Sequence, residues 1–167
     1  MKKILICMLA ALLCTVSVAC SSAPAYSDSV SAEQLVTVAL NAIGTAQDYM
    51  DGTSSYYAYY FEGKDGAEHI SECRMMFHSQ ETNVSELGIF RADSIKNAET
   101  VETLVRAYLA EQTDYLRSFA KNYSPEDLKK IDNADVTVLG CYVVYYILST
   151  EDEAAVLQTI RSELTVD

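Results

Sequence analysis

Apolar residues recur at three- and four-residue steps in three long stretches of the chain and gather into four short runs between them, a pattern of amphipathic helices and strands. Ser31, with Gln34 three residues on, forms a capping box ahead of Leu35, Val38, Ala39, Ala42, Ile43 and Ala46, which share one helical face. This predicts a first helix reaching about Asp48. The longest stripe is Val101, Leu104, Val105, Tyr108, Leu109, Gln112, Tyr115, Leu116 and Phe119, with Glu102, Arg106, Glu111, Asp114 and Arg117 on the other side. It predicts a long helix over residues 98–120, lying on a sheet. Thr150 and Glu153 suggest a second capping box, opening a last helix whose Val156, Leu157, Ile160 and Leu164 face the core.

The apolar runs 70–78, 87–92, 136–139 and 142–148 read as strands. The last is apolar on both faces, as expected of a strand covered on both sides, and Gly140 is the natural turn before it. Ser124-Pro125-Glu126-Asp127 starts a short helix ending near Ile131, with proline at the first helical position and acids at the positive end of its dipole. Residues 51–66, with Tyr56, Tyr57, Tyr59, Tyr60 and Phe61 among glycines and serines, show no single period: strand, loop and short helix all stay open. The fold class expected is α+β, an antiparallel sheet of about four strands with the long amphipathic helix and the C-terminal helix packed on it.

The N-terminus has a different character. Lys2 and Lys3 precede an apolar run from Ile4 to Val18 that is short for a membrane span, and small residues lead up to Cys20. That layout predicts residues 1–19 as a signal peptide, 20–30 as a flexible tether and 31–167 as one domain. Ser17-Val18-Ala19-Cys20 resembles a bacterial lipobox, which makes Cys20 the expected lipid-attachment residue and the outer face of the cell membrane the expected location. A lipobox carries leucine where this chain has Ser17, and an ordinary secretory cut, there or after Ala25, is the alternative. One diacylglyceryl group brings two acyl chains, enough for stable anchoring.

Charge narrows the partners. The chain has 24 acidic and 12 basic side chains, a formal net charge of −12, and losing the leader removes two lysines and no acids. Nucleic acid is excluded as a partner, since phosphate backbones are held by clustered Lys and Arg. Membrane contact is expected through the anchor alone, because an acidic surface avoids anionic headgroups. About 135 residues bury roughly two thirds of their unfolded surface without metal or crosslink. Of five cysteines, only Cys73 and Cys141 fall in the folded part, and both lie in apolar runs where a free thiol packs as a small hydrophobe. An oxidising exterior permits a bridge between them.

No catalytic, metal or cofactor motif stands out. His69, Cys73 and His78 are close in sequence, but in a strand His78 points away from the other two, which argues against one metal. Asn83-Val84-Ser85 and Asn122-Tyr123-Ser124 match a glycosylation pattern without bacterial meaning, and Glu151, Asp152 and Glu153 are explained by a helix start. The run Tyr56–Tyr60 reads either as a platform for stacking sugar rings or as tyrosines packed on one face with wet hydroxyls.

The segment from about Glu86 to Leu164 resembles an uncharacterised domain-of-unknown-function family of Gram-positive bacterial lipoproteins. The resembling features are Glu86-Leu87-Gly88-Ile89-Phe90, Glu111-Gln112 in the long helix, Phe119, Tyr123, Asn133-Ala134, and Gly140 with Tyr142 and the strand after it. The resemblance implies architecture and address and no reaction. The reading adopted is a non-enzymatic, membrane-anchored module that binds an envelope protein or glycan. The alternative is an extracytoplasmic hydrolase or thiol enzyme using Cys73 or Cys141 with a histidine.

Overall fold

The structure, a computed structural model, describes residues 25–166. The signal segment, Cys20 and most of the tether lie outside the described residues. Helix α1 spans Ala32–Ala42, opened by Ser31, whose hydroxyl accepts from the Gln34 amide at 3.1 Å. It stops well short of Asp48. Gly44 takes φ +70°, and the bonds Gly44 N to Asn41 O and Thr45 N to Leu40 O close a Schellman motif, which outweighs the apolar stripe continuing to Ala46.

The unassigned stretch supplies two elements. Strand β1, Tyr49–Asp51, is a three-residue edge strand, and the tyrosine run forms helix α2, Thr53–Tyr60. The Asp51 carboxylate accepts from the Thr53 amide at 2.7 Å, satisfying one donor of the first turn. No residue of α2 is fully buried. Strands β2, Ile70–His78, and β3, Glu86–Ala92, follow, then α3, Ala98–Tyr123, the short α4, Leu128–Asp132, strands β4, Asp135–Leu139, and β5, Tyr142–Ile147, and α5, Thr150–Leu164.

The five strands make one antiparallel sheet in the order β1-β2-β3-β5-β4, so the expected sheet gains an edge strand. Every residue of β5 is buried because helices cover both faces. Tyr146 reaches Glu153 of α5 and Arg74 reaches Glu33 of α1, which places α1 and α5 on one side. Tyr108 of α3 packs edge-on against Tyr145 and Tyr56 of α2 stacks on Phe77, which places α2 and α3 on the other. In α3, Val101, Val105, Tyr108, Leu109 and Gln112 are buried as the stripe predicts, but Tyr115 is exposed. It stands at the edge of the stripe, since Leu116 and Ala120 farther along the same helix stay partly or fully buried.

The last helix is capped one residue earlier than expected. Ser149 accepts from the Asp152 amide at 3.1 Å and donates to its carboxylate at 2.7 Å. This frees Glu153 to accept from Tyr146 at 2.7 Å and from Asn133 at 2.9 Å, tying α5 to the sheet and to the end of α4. Gly140, at φ +62°, begins the two-residue turn between Leu139 and Tyr142, the place glycine takes in a type II′ hairpin.

The start of the described chain sits at one end of the sheet. Ser27 N bonds Leu164 O, Val166 N bonds Ala25 O, and Tyr26 packs on Gly140. Register carries Tyr142 to Arg91 at this end and Ile147 to Glu86 at the other. The sheet therefore has a chain-entry pole and a distal pole marked by Glu86.

Candidate functional site

Glu86 begins β3 with its side chain on the α2 and α3 face, since it shares that face with Gly88 and Phe90. It is 3 % exposed. Gln112 donates to its Oε1 at 2.8 Å, Tyr108 to its Oε2 at 3.0 Å, and Tyr145 stands at 3.5 Å from Oε2. Tyr108 and Gln112 are neighbours on α3 at a four-residue step, so one helical face delivers both donors. Tyr145 reaches the carboxyl because Gly88 opposes it: a Cβ at Gly88 would come within 1.9 Å of the Tyr145 ring.

Burial pushes the Glu86 carboxyl up to about 7, against the pull of its hydrogen bonds to Gln112, Tyr108 and Tyr145. Burial also raises Tyr108 and Tyr145, so both stay neutral donors and bring no compensating charge. The result is a dry carboxyl that exchanges its proton near neutrality, linking α3 to β3 and β5.

Above this cluster lies the tyrosine helix. Tyr56 stacks on Phe77 with ring centroids 4.0 Å apart, and Tyr60 meets Tyr108 edge-on at 4.9 Å. Tyr56 and Tyr60, one helical turn apart, are stacked at 5.8 Å and 24°. Both face outward as well: with Ser55 and Tyr59 they line an open groove. Tyr59 is 77 % exposed and Tyr115 of α3 is 67 % exposed. Glu111 and Tyr115 both lie close enough to Tyr60 to act on its hydroxyl electrostatically. Phe77 pairs with Glu86 in the sheet, so this aromatic face belongs to the distal pole.

The histidines and thiols scatter. His69 precedes β2 in a short 3-10 turn, with Nδ1 at 3.0 Å from both the Asp93 carboxylate and the Asn97 amide. His78, at the far end of β2, packs edge-on against Tyr49 and accepts from the Gln80 amide. Cys73 is half-buried in β2 opposite Phe90, whereas Cys141 is buried in the β4–β5 turn and not in a strand as its apolar run suggested. Both thiols are free. Burial pushes Cys73 up to about 11 and raises Cys141 as well, which leaves little thiolate at neutral pH. Among the described residues, no group of three or more His, Cys, Asp and Glu side chains could hold a metal ion. No helix among them is long and apolar enough to cross a membrane.

The Glu86 cluster is the functional candidate that the sequence pattern missed. The polar stretch after β2 hid Glu86, and its partners lie 22 to 59 residues away along the chain. One signal was present: Gln112 falls on the buried stripe of α3, and a buried amide needs partners.

Residues 67–148 match the family model described as Domain of unknown function (DUF4358). All four members of the Glu86 cluster fall within that span, while α2 and its tyrosines precede it. No curated protein and no solved structure matches the chain.

Proposed function

We propose that this protein is exported, held at the outer face of the cell membrane by a lipid on Cys20, and acts there as a non-enzymatic interaction module. The observation that carries the reading is the placement of the exposed tyrosines. Tyr59 and Tyr115 stand beside Tyr56 and Tyr60, which pack on Phe77 and Tyr108 at the distal pole, whereas the chain enters at the opposite end of the sheet beside Gly140. An anchor upstream of residue 25 then directs the aromatic face away from the bilayer, where an envelope partner can reach it. Exposed tyrosines supply large contact area at low entropic cost, which suits recognition. The raised thiols and the separate settings of His69 and His78 support contact over nucleophilic chemistry.

Two measurements test this. Metabolic fatty-acid labelling marks the wild type, and Cys20→Ala abolishes the label and releases the protein into the medium; two unlabelled, equally released proteins would refute the anchor. Tyr59→Ala combined with Tyr115→Ala abolishes the cellular phenotype with a melting temperature within about 2 °C of wild type, because exposed positions contribute little to stability. A retained phenotype in that folded variant would refute the contact surface.

A further inference from the structure

We propose that the tyrosine face of α2 and α3 binds a neutral, hydroxyl-rich polysaccharide, with Tyr59 and Tyr115 as stacking surfaces and Glu111 as an acceptor for sugar hydroxyls. The proposal rests on the reading that this face is the contact surface and adds the chemistry of what it takes.

The composition of the face points to sugars. The large apolar side chains that α2 and α3 leave exposed are all tyrosines, Tyr59, Tyr115 and Tyr123, with no aliphatic residue among them. The cores of protein interfaces are closely packed and largely apolar, whereas a pyranose presents a flat C–H face to an aromatic ring and hydroxyls around its edge. Both halves of that pattern find a counterpart here. Tyr56 and Tyr60 lie nearly parallel one helical turn apart, and with Ser55 and Tyr59 they form an open groove that a linear chain can enter from the side. The Ser55 hydroxyl and the tyrosine hydroxyls line it with donors and acceptors, and Glu111 lies near Tyr60 on the adjoining helix. Burial raises Tyr56 and Tyr60, so their hydroxyls remain protonated donors at neutral pH.

Charge selects among polymers. Glu111 stands at the face itself, and the chain carries a net charge of −12. Phosphate-rich and uronate-rich polymers are repelled, while uncharged sugars incur no such penalty and their hydroxyls donate to the carboxylate.

The chain has 12 tyrosines and no tryptophan, so intrinsic fluorescence comes from tyrosine, and its response in the Tyr59 and Tyr115 variants assigns the signal to this face. Mature protein is titrated with a soluble N-acetylglucosamine hexamer, with poly(glycerol phosphate) and a lysine-rich peptide as parallel arms. A saturable response to the hexamer alone is expected. Tyr59→Ala and Tyr115→Ala should each weaken it roughly three- to tenfold. Tyr59→Phe should keep most of the affinity, since the ring remains, and Glu111→Gln should weaken binding with no change in melting temperature. No saturable response to the hexamer, or tyrosine variants that bind it as wild type does, would overturn the proposal. Binding of the lysine-rich peptide through the same tyrosines, with no glycan response, overturns the ligand class and leaves the contact surface standing. Loss of the cellular phenotype in the folded double variant with no binding in any arm does the same, whereas a retained phenotype removes both.

Discussion

Val105→Asp is expected to destabilise this domain severely, while Glu111→Ala leaves its melting temperature within about 2 °C of wild type. The two residues lie six positions apart on α3 and differ in what surrounds them. Val105 is 0 % exposed on the stripe that packs against the sheet, and Glu111 is exposed on the outer side. An aspartate at position 105 either stays ionised without a partner or takes up a proton in a site shaped for a branched hydrocarbon, and it loses the packing of the valine in both cases. The loss should reach about 4–5 kcal/mol, a large share of the roughly 5–15 kcal/mol such a domain has. Truncating Glu111 removes no buried contact. Circular dichroism melts of the two variants decide the matter, and similar midpoints would mean that the face of α3 toward the sheet is not the one assigned.

That assignment was legible in the sequence because α3 obeys one rule along its buried length. The stripe from Val101 to Gln112 repeats at helical steps and is buried as the pattern predicts, Leu104 only in part. The hairpin at Gly140 was legible for the same reason: local chemistry and tertiary packing ask for the same residue. Where the two diverge, the pattern misleads. In α1 the apolar stripe runs on past Ala42, but Gly44 ends the helix through backbone geometry that hydrophobic periodicity does not register. In α2 the tyrosines serve two environments, Tyr56 and Tyr60 inward against Phe77 and Tyr108 and Tyr59 toward solvent, so no single face emerges. Strand β1 is three residues long and takes its identity from pairing with β2, which its own composition does not disclose.

The candidate sites divide along the same line. The tyrosine face was legible as a run of residues, since α2 is contiguous in sequence, although its outward and inward members could be told apart only once Phe77 and Tyr108 were in place. Tyr115 joined it from α3, against the expectation that it belonged to the buried stripe. The Glu86 cluster depends on β3 meeting α3 and β5, a convergence of residues distant in sequence. Glu86, Gly88, Gln112 and Tyr145 are each ordinary in isolation. Gly88 becomes intelligible when the Tyr145 ring lies over it, and Tyr145 when its hydroxyl reaches toward the Glu86 carboxyl.

Glu86 leads to the second large expected effect, a stability that falls as pH rises. Its folded value of about 7 stands above the ordinary 4.5 because burial disfavours the charged form. Below pH 4.5 the carboxyl is protonated in both folded and unfolded chains and contributes no difference. Between about 4.5 and 7 the folded chain holds the proton more tightly than the unfolded one, so each step upward in pH favours unfolding. Above 7 the full difference has been lost, about 3 kcal/mol. The titratable groups around the carboxyl are Tyr108, Tyr145, Tyr49, Tyr56 and Tyr60, all raised by burial, so none supplies a positive charge to offset the effect. Glu86→Gln keeps the shape and an acceptor for Tyr108 but cannot ionise. Its stability should match the wild type near pH 4, exceed it by about 3 kcal/mol at pH 8, and show the flatter profile across the interval. Urea melts of both proteins from pH 4 to pH 8 measure this difference, in which titrations elsewhere in the chain cancel. Profiles that run parallel would place the Glu86 carboxyl in its ordinary range and remove the proton exchange assigned to the cluster.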